Sequence, residues 1–128
     1  NDCVTSLDDE GQVWMYGNNL KNMTGNGGSC YIPVKIEIPV QIIDVSCAFH
    51  FAAAVDITGQ VYSWGKNYGQ FKNECETVTC PTIVPNLENI RAISCGQKYA
   101  ICIDFDNYAF SFGFNRSGET GINSFRQN

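Results

Sequence analysis

The chain has 128 residues, 44% hydrophobic and 16% charged, with a net charge of −5 from 13 acids and 8 bases. That composition suits a folded globular chain, and no apolar run approaches the roughly 18 residues that a membrane span requires. The bases (Lys21, Lys35, Lys66, Lys72, Arg91, Lys98, Arg116, Arg126) never cluster, which argues against a nucleic-acid partner, because neutralising phosphates takes grouped cations.

The opening Asn1-Asp2-Cys3 has neither a starting methionine nor the basic and apolar regions of a signal peptide, so the chain is expected to begin partway through a longer protein. Strand-like runs follow at once. Gly11-Gln12-Val13-Trp14-Met15-Tyr16-Gly17 reads as a turn glycine followed by an alternating strand. The stretch Lys21–Cys30, with Gly25-Asn26-Gly27-Gly28 inside it, reads as a flexible loop. It is not a phosphate loop, since no Lys-Ser/Thr and helix follow the glycines. Pro33–Ile38, Gln41–Cys47, Phe51–Asp56 and Gln60–Trp64 are four short strands, the last two joined through Ile57-Thr58-Gly59, with glycine where a positive φ is needed. A second loop spans Gln70–Thr79 before the pattern resumes. No segment holds a 3.6-residue period for the ten or more residues of a helix.

Shifting the chain by 48 residues superimposes it on itself. Gly17, Gly65 and Gly113 coincide, as do Asn19, Asn67 and Asn115, and Asp8, Asp56 and Asp104. Pro33 meets Pro81, Ser46 meets Ser94 and Cys47 meets Cys95. Gly11 and Gly59 meet Asn107, another residue that tolerates positive φ. Four strands in a repeat of this length are the arithmetic of a propeller blade. The expected fold is therefore all-β, a partial β-propeller of about three four-stranded antiparallel blades, with repeat copies near 1–32, 33–80 and 81–128. In the last strand of each copy, Trp14 and Tyr16, Tyr62 and Trp64, and Phe110 and Phe112 share one face, with Val13 and Met15, Val61 and Ser63, and Ala109 and Ser111 opposite. Large against small is how adjacent blades would seat.

The motif Val45-Ser46-Cys47-Ala48-Phe49-His50, followed by Gly59-Gln60-Val61-Tyr62-Ser63-Trp64-Gly65-Lys66-Asn67, resembles the regulator of chromosome condensation repeat. So do Ile93-Ser94-Cys95-Gly96 and Phe110-Ser111-Phe112-Gly113-Phe114-Asn115. Lys98 replaces the family's histidine in the third copy, Ala48 replaces the glycine after Cys47, Gly69 falls one residue early, and Phe71 ends a loop motif that closes on Leu-Gly in the family. These departures mark a divergent member. The resemblance implies a disk of about seven blades whose loops bind other proteins, needing flanking repeats or self-association to complete it. It implies a protein–protein interaction scaffold. The alternatives are guanine-nucleotide exchange on a small GTPase, which in the family uses an inserted hairpin that no loop here is long enough to supply, and a secreted inhibitor-type binder on the same fold.

Cys3, Cys47, Cys95 and Cys102 sit in hydrophobic runs and read as buried, reduced core thiols. Cys30, Cys75 and Cys80 read as loop thiols, with a local Cys75–Cys80 disulfide or half a zinc site as alternatives. Seven cysteines is an odd number, which favours an intracellular setting. His50 and Cys47 invite a nucleophile pair, yet Cys47 recurs as Cys95 without a histidine. No catalytic, cofactor or metal constellation emerges, and no enzyme is expected. Asp8, Asp56 and Asp104 are expected to accept turn N–H groups. Partner contact is expected in the loops and tips, through Asp9, Glu10, Lys21, Asn22, Asn26, Lys72, Glu74, Glu76 and Asp106.

Overall fold

The computed structural model describes residues 3–17, 30–48, 51–66, 77–96, 99–113 and 123–126. Every regular element among them is a strand: β1 (Cys3–Leu7), β2 (Val13–Gly17), β3 (Cys30–Ile36), β4 (Ile42–Cys47), β5 (Phe51–Asp56), β6 (Val61–Lys66), β7 (Thr77–Ile83), β8 (Ile90–Cys95), β9 (Tyr99–Asp104), β10 (Tyr108–Gly113) and β11 (Asn123–Arg126). They form three antiparallel sheets with the orders β1-β2-β3, β4-β5-β6-β7 and β8-β9-β10-β11. No helix among the described residues is long and apolar enough to cross a membrane.

The 48-residue shift carries β1 onto β5 and β5 onto β9, so the sequence repeat is a repeat of structure. The sheets, however, are phased differently from the sequence copies. The Pro33–Ile38 run, grouped by sequence with the strands after it, contributes to β3 and pairs with β2, through Val13↔Ile36 and Met15↔Val34. Likewise β7 closes the second sheet on β6. The hydrogen-bonded units therefore run over 3–36, 42–83 and 90–126. Two cysteines read as loop residues also move. Cys30 opens β3, and Cys80 lies in β7, where it is exposed and not in a disulfide.

Packing follows the two-faced strands. One core joins the first and second sheets: Val13, Met15 and Ile36 meet Ile42, Ala52, Ala54, Tyr62 and Trp64. The other joins the second and third: Phe51, Ala53, Val55 and Val61 meet Ile90, Ile93, Ala100, Cys102 and Phe112. The aromatic faces of the second and third sheets thus lie on the small-residue face of the sheet before them. Every residue of β5 is buried as a result, with three consecutive alanines, Ala52 to Ala54, facing opposite ways into two cores.

Polar bonds tie the leading strands together. Asp44 on β4 accepts the Ile93 N–H of β8 at 2.9 Å, and the Ser46 hydroxyl accepts the Cys95 N–H at 3.0 Å. On the turns, the Gly59 carbonyl accepts the Ile90 N–H at 3.0 Å, so the hairpin of the second sheet is bonded to the entry of the third. Gly59 has φ +91, and a Cβ there would lie 2.8 Å from the Asn89 Cα. Both the backbone angle and the close approach demand glycine. Gly59→Ala is expected to destabilise the fold by about 1–3 kcal/mol, read as a lowered urea midpoint with unchanged slope. An unchanged midpoint would mean the hairpin does not press on the third sheet.

Candidate functional site

Three equivalent hairpin tips, between β1 and β2, β5 and β6, and β9 and β10, are the best-defined surface features. In each, the aspartate that ends the first strand folds its carboxylate over the turn. Asp8 Oδ1 accepts the N–H groups of Glu10 and Gln12, both at 2.9 Å. Asp56 Oδ1 accepts those of Thr58 at 2.8 Å and Gln60 at 3.1 Å, and the Thr58 hydroxyl at 2.6 Å. Asp104 Oδ1 accepts those of Asp106 and Tyr108, both at 2.9 Å. The residue three positions after each aspartate takes positive φ: Gly11 at 77°, Gly59 at 91° and Asn107 at 68°. The expectation that these aspartates cap turns, and that Asn107 stands in for glycine, is met residue by residue.

The second carboxylate oxygen looks back at the sheet. The Trp14 indole N–H donates to Asp8 Oδ2 at 3.0 Å, and Tyr62, its equivalent one repeat on, donates to Asp56. The third copy has Phe110 there, which has no donor; Arg91 instead donates to the Asp104 carbonyl at 3.2 Å and to Asn107 Oδ1 at 3.0 Å. The Trp14 indole, followed by the Gln12 N–H, holds the Asp8 carboxyl below the usual carboxylate range. Burial works to raise Asp56, but the donors from Thr58, Gln60 and Tyr62 together outweigh it and leave that carboxyl lowered too. Burial, reinforced by the Asp56 charge, pushes Tyr62 up.

With the backbone fixed this way, the side chains at the tips point outward. Asp9, Glu10 and Asp106, three of the predicted contact residues, are all exposed. Ile57 and Phe105 stand at the position of Asp9 in the other two copies and are 58% and 65% exposed. The neighbouring Glu88 is exposed as well. Neither Ile57 nor Phe105 is among the predicted contact residues, although an apolar residue at the first outward position of a turn is a signal for one. The other predicted contact residues, Lys21, Asn22, Asn26, Lys72, Glu74 and Glu76, lie outside the described residues, as do His50 and Cys75.

The thiols offer little chemistry. Burial pushes Cys95 and Cys102 up to about 12, which keeps both protonated and unreactive at neutral pH. Among the described residues, no three His, Cys, Asp or Glu side chains are grouped to hold a metal ion.

Residues 58–103 match the family described as the regulator of chromosome condensation (RCC1) repeat. No curated protein matches the chain. Among solved structures, human WBSCR16 superimposes with a TM-score of 0.78 at 21% identity, over 88% of this chain and 31% of that one. Prp20p from Saccharomyces cerevisiae superimposes with a TM-score of 0.74 at 17% identity, over 89% and 32%. The yeast RCC1 (Prp20) bound to Kap60 gives 0.74 at 17%, over 89% and 30%. The chain therefore spans about a third of the length of these structures.

Because the folded carboxyls of Asp8 and Asp56 lie below 3.8, their contribution to stability is complete above that pH and is lost as pH falls through the lowered values. Urea midpoints should hold steady from pH 7 to about 5 as far as these groups are concerned, and fall below about pH 4. Asp56→Asn should be less stable at pH 7 and lose less on acidification; an equal acid loss would show that the turn carboxylate carries none of it. Residues 58–103 thus match the regulator of chromosome condensation repeat, and the three phased sheets share the β-propeller fold of the solved structures that the chain resembles.

Proposed function

We propose that this segment belongs to a protein–protein interaction scaffold and that binding runs through the hairpin tips and inter-strand loops. One observation carries this reading: the tip backbones are held by the Asp8, Asp56 and Asp104 carboxylates, and the Asp9, Glu10 and Asp106 side chains stand exposed on them. Outward side chains on a rigid support are a common basis for recognition. The similar folds also support it, since one is described by the binding of Prp20p to Gsp1p and histones and another as yeast RCC1 bound to Kap60. The loop residues Lys21, Asn22, Asn26, Lys72, Glu74 and Glu76 extend the proposed surface. Partners are proteins, in an intracellular setting.

The end sheets enter the same proposal. Tyr16 is 41% exposed on the first sheet, whereas its equivalent Trp64, between two sheets, is fully buried. Tyr99 on the third is 47% exposed, against 1% for its equivalent Phe51. Further copies of the repeat, in the same protein or a second molecule, would cover both faces as the second sheet's are covered. Guanine-nucleotide exchange on a small GTPase is the second reading, resting on the repeat family alone. The test is affinity capture with the intact protein and a variant carrying Asp9→Lys, Glu10→Lys and Asp106→Lys, at low and raised salt, with partners identified and assayed for nucleotide release. The reading expects at least one partner to be lost on charge reversal and to weaken with salt. Retention of every partner by the variant would move the recognition surface elsewhere.

A further inference from the structure

The second sheet is flanked on both sides, so it serves as an internal reference for which exposed apolar groups belong to the open end faces. On the first sheet, Val4, Leu7 and Tyr16 are exposed, and their equivalents Ala52, Val55 and Trp64 are fully buried. On the third, Tyr99 and Ile101 are exposed, and their equivalents Phe51 and Ala53 are buried. All five stand at positions that a neighbouring sheet covers in the second sheet. Ile57 and Phe105 behave differently. Ile57 is on the flanked sheet and still 58% exposed, so a neighbouring blade does not cover this position, and Phe105 is its equivalent. Local structure does not ask for an apolar residue there either, because Asp9 fills the same place in the first tip.

The two tips are also rigid and joined. Ile57 N–H donates to the Gln41 carbonyl at 2.9 Å and Phe105 N–H to the Asn89 carbonyl at 3.1 Å, while Gly59 and Ile90 bond the hairpin of one sheet to the next. Asp9 and Glu10 on the first tip, Asp106 on the third and Glu88 at the entry of the third sheet are all exposed. Arg91 is turned onto Asn107 and the Asp104 carbonyl. The Lys35–Glu37 pair at 3.5 Å is the ion pair found among the described residues, and none of these four acids pairs with a described cation. Two exposed apolar anchors on tips that also carry exposed carboxylates suit a partner with the opposite charge and its own apolar side chains.

We propose that Ile57 and Phe105 are the paired anchors of a recognition rim for a basic polypeptide segment, one that places aliphatic or aromatic side chains on the two tips and Lys or Arg beside Asp9, Glu10, Glu88 and Asp106. The assignment rests on the interaction-scaffold reading and gives it a partner chemistry. Apolar anchors set the residence time, and the acidic surround speeds encounter and rejects acidic segments.

The test is selection from a displayed library of random 12-residue peptides on the intact protein, followed by affinity measurement of the selected peptides. The proposal expects selected peptides to combine Lys or Arg with aliphatic or aromatic residues. It expects Ile57→Ser with Phe105→Ser to weaken them at least tenfold, and raised salt to weaken them as well. Both positions are exposed, and thermal unfolding checks that the double variant remains folded; Phe105→Leu should retain most of the affinity and serves as a second check. Selected peptides without basic residues, peptides whose binding ignores the double substitution, or no selection at all would each overturn the proposal. Loss of the anchors with cellular partners still captured through Asp9, Glu10 and Asp106 would leave the scaffold reading standing and sink this one alone.

Discussion

The structure depends on a sheet whose two faces are unlike. Tyr62 and Trp64 project to one side of β6, Val61 and Ser63 to the other. β5 runs alongside with alanines on both sides, so the large face can enter the small face of the preceding sheet without leaving voids. Neither face of β5 or of residues 61–65 in β6 reaches water; the buried Ser63 hydroxyl donates to the Ala52 carbonyl at 3.0 Å, whereas the buried Trp64 indole N–H has no hydrogen-bond partner among the described residues. Such an arrangement stabilises a sheet only when it has neighbours, which is why repeats of this kind are found in series.

Stacking sheets by their faces leaves their ends to be held by other means, and the aspartate turns supply them. Each carboxylate closes its own hairpin, and the first two hairpins in turn bond to the entry of the next sheet, Gly11 with Ile42 and Gly59 with Ile90. Asp44 and Ser46 add a second line of bonds between the leading strands of adjacent sheets. The tips are therefore among the better-fixed parts of the backbone, although they lie at the surface. That fixity is what lets side chains such as Ile57 and Phe105 present a defined shape to a partner at little ordering cost.

Much of this was legible in the residues. The 48-residue period, the turn glycines with Asn107 in their series, the capping role of Asp8, Asp56 and Asp104, and the division of aromatics and small residues between faces all follow from local rules of strand and turn chemistry. The phase of the sheets did not. Pro33–Ile38 alternates as any strand does, and nothing in an alternating pattern says whether its partner lies before it or after it. The bonds from Asp44 to Ile93 and from Ser46 to Cys95 join residues 49 apart and have no local signature. The place of Ile57 in the Ile57-Thr58-Gly59 turn is legible in the residues, but that it stays exposed between two neighbouring sheets is visible only in the structure. Exposure of Tyr16 and burial of Trp64 likewise depend on neighbours rather than on sequence.

Face-to-face stacking of repeat-phased sheets makes a demand that a simple two-layer sandwich does not. In a sandwich, successive residues of a strand alternate between core and solvent, so either Ala53 or Ala54 would accept a larger side chain. In the stacked arrangement both are fully buried, facing different cores. Measuring the unfolding free energies of Ala53→Leu and Ala54→Leu separately in the intact protein is the direct test. The account predicts that each loses about 1–3 kcal/mol through overpacking. Tolerance of leucine at either position would contradict it.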